Sequence, residues 1–207
     1  MSTLKNKSKK SYQIIAVDTL KLSIGGILIG LLHQYDLILA GLLGIHFIRF
    51  IIKNYLVTND RNWVLLLGMI VSGILGISAE MWGVSNGFWE YHDLSNNRQL
   101  PYWLPLAWMY AFRFIYLLER KLIVALQLES IRQKTWLAVA IAAFFPAYGE
   151  VITINLGVWT YTWPYQFLGV PLYAVLCLIA FHMGINFILT LWVKRKKIDD
   201  PVFISKK

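Results

Sequence analysis

Charged residues are scarce in this chain: they make up 15% of its 207 residues, whereas a soluble domain carries roughly 25%. Hydrophobic residues make up 57%, and the mean hydropathy is +0.55. This balance excludes an ordinary soluble domain, and it also excludes a disordered chain, because disordered chains are poor in apolar residues. We therefore predict an all-α fold class, namely an integral membrane protein built of helices.

The sequence also lacks the residue patterns of several common sites. Its one cysteine, Cys177, lies within an apolar run, so we expect no intrachain disulfide and no cysteine-based zinc site. There is no GxSxG, HExxH or phosphate-binding loop motif. No aspartate-rich pair is placed to hold a metal–diphosphate, which argues against ionisation of a prenyl diphosphate. We therefore expect neither a metal nor a cofactor.

The apolar runs are long enough for six membrane spans, since one span needs about 20 residues. The first run contains Asp18 and Lys21, is too long for a signal peptide and has no small-residue cleavage site after it, so we expect a retained helix. We predict six or seven transmembrane helices in a single domain, 1–207. The six spans cover residues 13–33, 37–57, 63–83, 102–119, 136–156 and 170–193.

The formal charge of +9 comes from 20 Lys and Arg against 11 Asp and Glu. The basic residues stand between the apolar runs, so topology explains them and we expect no nucleic-acid partner. They concentrate in the tail 1–12, after the fourth span and in the tail 194–207, whereas the opposite connections hold only Arg98. The positive-inside rule therefore places both termini in the cytoplasm. The composition, rich in Lys, Ile and Asn and without sorting signals, favours a bacterial inner membrane.

Two segments align without a gap when the chain is shifted by seventy residues. The shared pattern is E-x6-G-x-W-x-Y-x9-P. Chance matches between apolar segments are usually Leu, Ile or Val, but these matches include rarer types. We therefore predict two parallel helix-loop-helix repeats, 63–120 and 133–193, related by an axis along the membrane normal. The matched pairs are Glu80 and Glu150, Gly87 and Gly157, Trp89 and Trp159, Tyr91 and Tyr161, and Pro101 and Pro171.

Glu80 and Glu150 are the predicted catalytic residues. Glu80 lies seventeen residues into the third span, about 25 Å of helix rise, in the outer part of a core about 30 Å thick. The repeat places Glu150 at a similar depth. An acid at that depth normally faces protein or water and is functional by default. The alternative is that both are hydrated at the outer interface or hold a partner helix.

Aromatic residues are concentrated in the two outer connections. An interfacial belt is one explanation, but a belt would be roughly equal in both leaflets, so the outer excess indicates the mouth of a lined cavity. Arg113, near mid-membrane, is expected to pair with an acid or with a polar group of a ligand. The predicted substrate-binding residues are Trp82, Trp89, Tyr91, Trp108, Arg113, Asn155, Trp159 and Tyr161.

Several polar residues are secondary candidates. Glu90 and His92 in the first outer connection have the chemistry of acid–base groups, although a solvated loop explains them equally simply. His182 stands four residues before Asn186 and is expected to face the bundle, where a helix–helix hydrogen bond is the alternative role. Elsewhere we predict an Asp18–Lys21 pair and two solvated tail charges, Asp199 and Asp200.

The motifs resemble those of known membrane enzymes of isoprenoid metabolism. Glu80, W-G-V at 82–84, Gly87, Tyr91 and L-P-L-A-W at 104–108 resemble the carotenoid biosynthesis proteins of the bacterioruberin-type hydratase family. G-V-W-x-Y at 157–161 and G-V-P-L at 169–172 are similar to the lycopene cyclase repeat domain. Small fungal membrane meroterpenoid cyclases are similar in size and use acidic residues in a helical bundle. The resemblance covers roughly residues 76–190, and it departs after Pro171, where the cyclase repeat usually has two acids.

The resemblance implies protonation of an isoprenoid double bond or epoxide, followed by cyclisation or capture of water. One glutamate would be the proton donor, and the other would stabilise the cation or activate water, in either order. We therefore expect a bilayer enzyme with a lipophilic isoprenoid substrate; the sequence makes no prediction of oligomeric state. The alternatives are a carrier or receptor for a small amphiphile, an ion-coupled transporter, and a structural subunit whose acids only pair helices.

Overall fold

A computed structural model describes residues 2–58, 61–95 and 98–203, with side chains from Lys9 onward. A π-helical turn, Ile52–Val57, continues the second helix. Lys5, Lys7, Lys206 and Lys207 of the predicted basic tails lie outside the described side chains. Within the described ranges the chain is mostly helical, and its six α-helices are α1 (Ser2–Leu32), α2 (Asp36–Ile51), α3 (Trp63–Ser85), α4 (Leu104–Leu126), α5 (Ile131–Asn155) and α6 (Leu172–Lys196).

Four of these helices are long and apolar enough to cross a bilayer, which confirms the prediction of a helical membrane protein to that extent. They are Lys9–Leu32, Trp63–Ser85, Ile131–Asn155 and Leu172–Lys196. The other two helices are too short or too polar to be identified as spans from length and composition. The helix α2 has 16 residues, and α4 carries Arg113, Glu119 and Arg120 within its apolar run.

Local signals in the sequence set several helix ends. The Asn62 side chain caps α3 by accepting a hydrogen bond from the backbone N–H of Leu65 at 2.9 Å, as expected of an Asn at this position. Ser130 and Gln133 form a capping box at the start of α5, which satisfies two otherwise unpaired N–H groups. The helix α4 ends at Leu126, because the next residue, Gln127, has a φ of 55° that stops helical propagation.

Glycines on α3 allow α4 to approach closely. A Cβ added at Gly68 would lie 2.1 Å from the Phe112 ring, and one added at Gly76 would lie 2.4 Å from the Trp108 ring. Large aromatic side chains of α4 therefore occupy space that any residue other than glycine would fill. This packing brings Trp108 against the face of α3 that carries Glu80.

The main core lies among α2, α3, α4 and α6 and includes Phe112, Tyr116 and Leu189. The segment after α6 folds back onto this core, because Val202 and Phe203 are both buried. The end of the described chain is therefore part of the packed structure rather than a free extension.

Asp200 is buried, which corrects the prediction that it is a solvated tail charge. Its side chain accepts hydrogen bonds from the Tyr116 hydroxyl and from the backbone N–H of Val202. Lys134 donates from Nζ to the Pro201 carbonyl at 2.7 Å and holds the same segment. The sequence suggested a polar tail because an Asp-Asp-Pro segment after basic residues carries no local sign of burial.

Two short strands join the connections that follow α3 and α5. Strand β1 (Trp89–Tyr91) pairs antiparallel with β2 (Trp159–Tyr161), with Glu90 opposite Thr160. Two flanking backbone bonds run from His92 N–H to Val158 O and from Thr162 N–H to Phe88 O. A shift of seventy residues converts one bond into the other, because it places His92 on Thr162 and Phe88 on Val158. Strands β3 (Gln166–Phe167) and β4 (Val170–Pro171) form a second antiparallel pair before α6.

Ion pairs fix both ends of the bundle. Asp36, at the start of α2, accepts hydrogen bonds from Arg98 and from the backbone N–H of Tyr102 at 2.8 Å, which ties down the connection before α4. At the other end, the predicted Asp18–Lys21 pair is present at 3.0 Å, and Asp18 also contacts Lys121 of α4 at 2.7 Å. Asp18 therefore links α1 to α4.

Candidate active site

A cavity of about 770 Å³ lies among the helices and is closed on one side by β1 and β2. Its size falls in the range of roughly 300–1,000 Å³ that is typical of sites for small organic ligands. Nine of the thirteen predicted site residues line it, from six different elements: Glu80, Trp89, Tyr91, Trp108, Arg113, Glu150, Trp159, Tyr161 and His182.

One side of the cavity reaches the surface that would face lipid. Ile24 and Leu28 of α1 and Leu42 of α2 line the cavity and are each about half exposed. The cavity is therefore open toward the outside of the bundle at α1 and α2, where these apolar side chains lie. Such an opening suits a ligand that is dissolved in the bilayer.

Glu80 is held by two indole groups. Trp89 Nε1 donates to Glu80 Oε2 at 2.7 Å, and Trp108 Nε1 donates to Glu80 Oε1 at 3.0 Å. An indole N–H is only a donor, so both carboxyl oxygens act as acceptors. Glu80 is itself buried, and each of its oxygens is occupied by a protein group.

Glu150 has one occupied oxygen and one open oxygen. Its Oε1 accepts a hydrogen bond from the Tyr161 hydroxyl at 3.1 Å. Its Oε2 is buried and has no hydrogen-bond partner among the described residues. Native proteins rarely leave a buried polar atom unpaired, and the exceptions call for an explanation. Because Glu150 lines the cavity, its Oε2 is accessible to a molecule bound there.

The paired strands carry aromatic rings over the two glutamates. Trp89 lies 5.6 Å from Tyr161, and Tyr91 lies 5.7 Å from Trp159, measured between ring centres. Because side chains alternate along a strand, these four rings lie on the cavity side while Glu90 and Thr160 are exposed.

The tyrosines of these strands remain neutral donors at ordinary pH. Burial raises the pKa of Tyr91 well above that of free tyrosine, and the nearby Glu80 carboxyl group raises it further. Burial likewise raises the pKa of Tyr161, with further contributions from Glu150 and then Glu80.

Arg113 enters the same cavity from α4. Its guanidinium group lies 5.0 Å from the centre of the Phe50 ring, and its Nε is buried without a hydrogen-bond partner. Among the described residues, no Asp or Glu forms an ion pair with it. Its charge therefore has no acidic partner in the described part of the chain.

Glu119 is a buried acid that the sequence analysis did not identify. His182 Nε2 lies 2.7 Å from Glu119 Oε1 and 3.0 Å from Asn186 Nδ2. The predicted orientation of His182 toward the bundle is thus confirmed, with a helix–helix bond to α4. The available signal was an acid next to an apolar run, but Arg120 and Lys121 follow it and placed the end of the predicted span there.

Four predicted site residues lie outside the cavity. Trp82 is more than half exposed and contacts Phe88, and Asn155 is exposed and donates to the carbonyls of Val151 and Leu168. Glu90 is exposed on β1, and His92 lies 3.2 Å from the Thr160 hydroxyl.

The described residues contain no cluster of three or more His, Cys, Asp or Glu side chains suited to a metal ion. What the cavity does contain is two carboxyl groups, aromatic faces and one arginine within an apolar wall. Comparison of the chain with protein-family models, with curated proteins and with solved structures yields no match.

Proposed function

We propose that this protein is a membrane enzyme that protonates a double bond or epoxide of a lipophilic isoprenoid and directs the resulting cation to cyclisation or to capture of water. One observation carries the proposal. The buried, unpartnered Oε2 of Glu150 lies in an apolar cavity that also contains Glu80 and four aromatic rings. The same residues carry the sequence resemblance to carotenoid hydratases and lycopene cyclase repeats, and we propose kinship with those families.

The different surroundings of the two glutamates support different roles. Both oxygens of Glu80 accept indole hydrogen bonds, and two such donors favour the carboxylate form of this group over its protonated form. Glu150 keeps Oε2 open to the cavity. Glu150 is therefore the proton donor in our proposal, and Glu80 is the carboxylate that stabilises the cation and later removes a proton.

The proposed step balances without an oxidant or a reductant. The O–H bond of Glu150 breaks, and the π electron pair of the alkene forms a new C–H bond, which leaves a carbocation and a carboxylate. A second double bond or a water oxygen then attacks the cation. Loss of one proton to a carboxylate ends the reaction, so the net change is an isomerisation or a hydration.

The aromatic rings supply what a carboxylic acid alone lacks. An alkene is a weak base, so its protonation requires strong stabilisation of the cation. Cation–π contacts contribute about 2 kcal/mol or more when they are desolvated, and the faces of Trp89, Trp159 and Tyr161 lie at the cavity. An apolar wall also excludes the water that would otherwise quench the cation indiscriminately.

We also propose that all six helices span a bacterial inner membrane, with both termini in the cytoplasm. The 23 residues of α4 are about 35 Å long, and its polar groups Arg113 and Glu119 face the cavity and His182 rather than lipid. Hydropathy alone therefore underestimates α4. Basic residues in the α4–α5 connection and after α6 support this orientation.

Two parallel repeats are part of the same proposal. Gly87 and Gly157 both adopt positive φ, at 68° and 80°, and the strands that follow them pair across a centre between Glu90 and Thr160. An antiparallel pairing of equivalent segments is what a two-fold axis along the membrane normal produces. The two glutamates then stand at equivalent positions beside that axis.

The first experiment compares lipid extracts of cells that express the wild type, Glu150→Gln or Glu80→Gln at matched levels, in hosts supplied with isoprenoid precursors. We expect a new isomer or hydrate with the wild type by mass spectrometry. Loss of the proton donor in Glu150→Gln should lower product at least about 100-fold, the usual scale for a general acid. Gln keeps the volume and still accepts from Tyr161.

Glu129→Gln is the matched control, because Glu129 lies in the exposed α4–α5 connection and its product yield should equal that of the wild type. Normal product formation by folded Glu150→Gln would sink the assignment of the proton donor. Lipid profiles that are identical with and without the wild-type protein would overturn the enzyme proposal and favour a carrier.

A further inference from the structure

Arg113 lines the same cavity as the two glutamates, and no acidic side chain in the described part of the chain neutralises it. No carboxylate of the described chain pairs with it, its Nε is unpartnered, and its nearest charge-compensating contact is the face of Phe50. Arg113 is only partly exposed, and a charge that is withdrawn from water is normally paired or hydrogen-bonded. The missing partner is therefore expected to arrive with the ligand.

The position of Arg113 separates it from the acids. Trp108, which bonds Glu80, precedes Arg113 by five residues on α4, a rise of about 7.5 Å along the helix. The cavity thus has carboxyl groups and aromatic rings at one level and a cation at another. An acidic ligand group would be repelled by the Glu80 carboxylate and attracted by Arg113, so the charges set the direction in which an amphiphile binds.

We propose that Arg113 binds the acidic group of an isoprenoid amphiphile, such as a terminal carboxylate, and thereby places the apolar double bond beside Glu80 and Glu150. The role of the double bond rests on the proposed function, whereas the binding step is independent of turnover. A pure hydrocarbon such as a carotene would leave Arg113 uncompensated. The substrate class is therefore narrower than the resemblance to carotenoid enzymes implies.

The test measures binding of retinoic acid, a polyene carboxylate, and of its neutral methyl ester. The full chain is placed in phosphatidylcholine nanodiscs, and quenching of tryptophan fluorescence reports binding. Arg113→Met removes the charge, Arg113→Lys keeps it, and Arg49→Met is the matched control, because Arg49 is exposed on α2.

We expect Arg113→Met to weaken binding of the acid about 10- to 100-fold, the scale of a lost charge-assisted hydrogen bond. Binding of the ester should change much less. Arg113→Lys should retain most of the affinity for the acid, and Arg49→Met should change neither ligand. If Arg113→Met does not fold, Arg113→Gln provides the same comparison.

Equal weakening of the acid and the ester, or unchanged binding of the acid, would overturn the inference. Displacement of the acid by phosphatidylglycerol in the nanodisc would assign Arg113 to a lipid headgroup and overturn the isoprenoid assignment. The Glu150→Gln variant separates the two proposals. If Glu150→Gln forms no product but still binds the acid, both proposals are supported. If the wild type binds the acid through Arg113 but never forms product, only the proposed function is overturned.

Discussion

Gly83 sets how closely Trp89 approaches α3. A Cβ added at Gly83 would lie 1.8 Å from the Trp89 ring, far inside the contact distance of two carbon atoms. Gly83 stands three residues after Glu80, on the same side of the helix. Because Gly83 has no side chain, the Trp89 indole packs directly against α3 and donates to Glu80 at 2.7 Å.

Gly83→Ala should therefore disturb both packing and the site. We expect the free energy of unfolding to fall by about 1–3 kcal/mol, the usual cost of overpacking, with loss of product because Trp89 is displaced from Glu80. Gly41→Ala is the control, since nothing lies within 4 Å of an added Cβ there and alanine favours the helix. Thermal unfolding in detergent measures the stability of the two variants, and product analysis measures their activity. A Gly83→Ala protein with unchanged stability and activity would contradict this account.

At the residue scale, the sequence identifies acids whose position within an apolar run indicates a functional role. Glu80 and Glu150 stand out because each interrupts an apolar run. Glu119 escapes notice because basic residues follow it, and its burial depends on His182, 63 residues away along the chain. The open oxygen of Glu150 is also beyond sequence reasoning, because it depends on where Tyr161 and the cavity lie.

The pairing of β1 with β2 is the element that brings the two halves of the site together. Trp89 and Tyr161 stand opposite one another in the register, as do Tyr91 and Trp159. The strands thus place two rings from each connection over the carboxyl groups. Without this pairing, each connection would be an isolated loop at the end of its own helix pair.

A cross-strand disulfide tests the register. We expect Glu90→Cys and Thr160→Cys together, in a Cys177→Ser background, to form a disulfide on mild oxidation. Directly opposed residues in a hydrogen-bonded pair have Cα atoms about 5.5 Å apart, within the range a disulfide spans. Cysteines joined in a disulfide do not react with a maleimide-coupled polymer, so the absence of the polymer's shift on a gel measures disulfide formation. Glu90→Cys with Thr162→Cys is out of register, and equal oxidation of that pair would contradict the assignment.

The helices are more predictable than the strands. Apolar runs reveal all six helices, although α1 begins at Ser2 rather than at 13, and α5 begins at Ile131 rather than at 136. Basic residues are compatible with a helix but not with the core of a bilayer. A helix can therefore begin several residues before the apolar span that the sequence predicts. The strands are three residues long with partners seventy residues away, and no local periodicity shows such a pairing.

Basic groups concentrate at one end of the molecule, opposite the end that carries β1 and β2. Lys194, Arg195 and Lys196 close the last turn of α6, and Lys121 and Lys134 lie at the same end through their contacts with Asp18 and Pro201. The aromatic strands lie at the far end. This polarity supports the proposed orientation in the membrane.

Single cysteines test that orientation in the Cys177→Ser background. We expect Ser95→Cys, in the connection that follows β1, to react with a membrane-impermeant maleimide in intact cells. Glu129→Cys, in the α4–α5 connection, should react only after the membrane is disrupted. Both positions are exposed, so access depends on the side of the membrane rather than on burial. The opposite labelling pattern would reverse the proposed orientation.

The opening at α1 and α2 also determines which measure of ligand concentration governs binding. A cavity reached through Ile24, Leu28 and Leu42 meets its ligand by diffusion within a plane. The relevant quantity is then the mole fraction in the leaflet. Saturation would follow the ratio of ligand to lipid, and diluting the assay with buffer would leave the rate unchanged, whereas diluting it with added phospholipid would lower it.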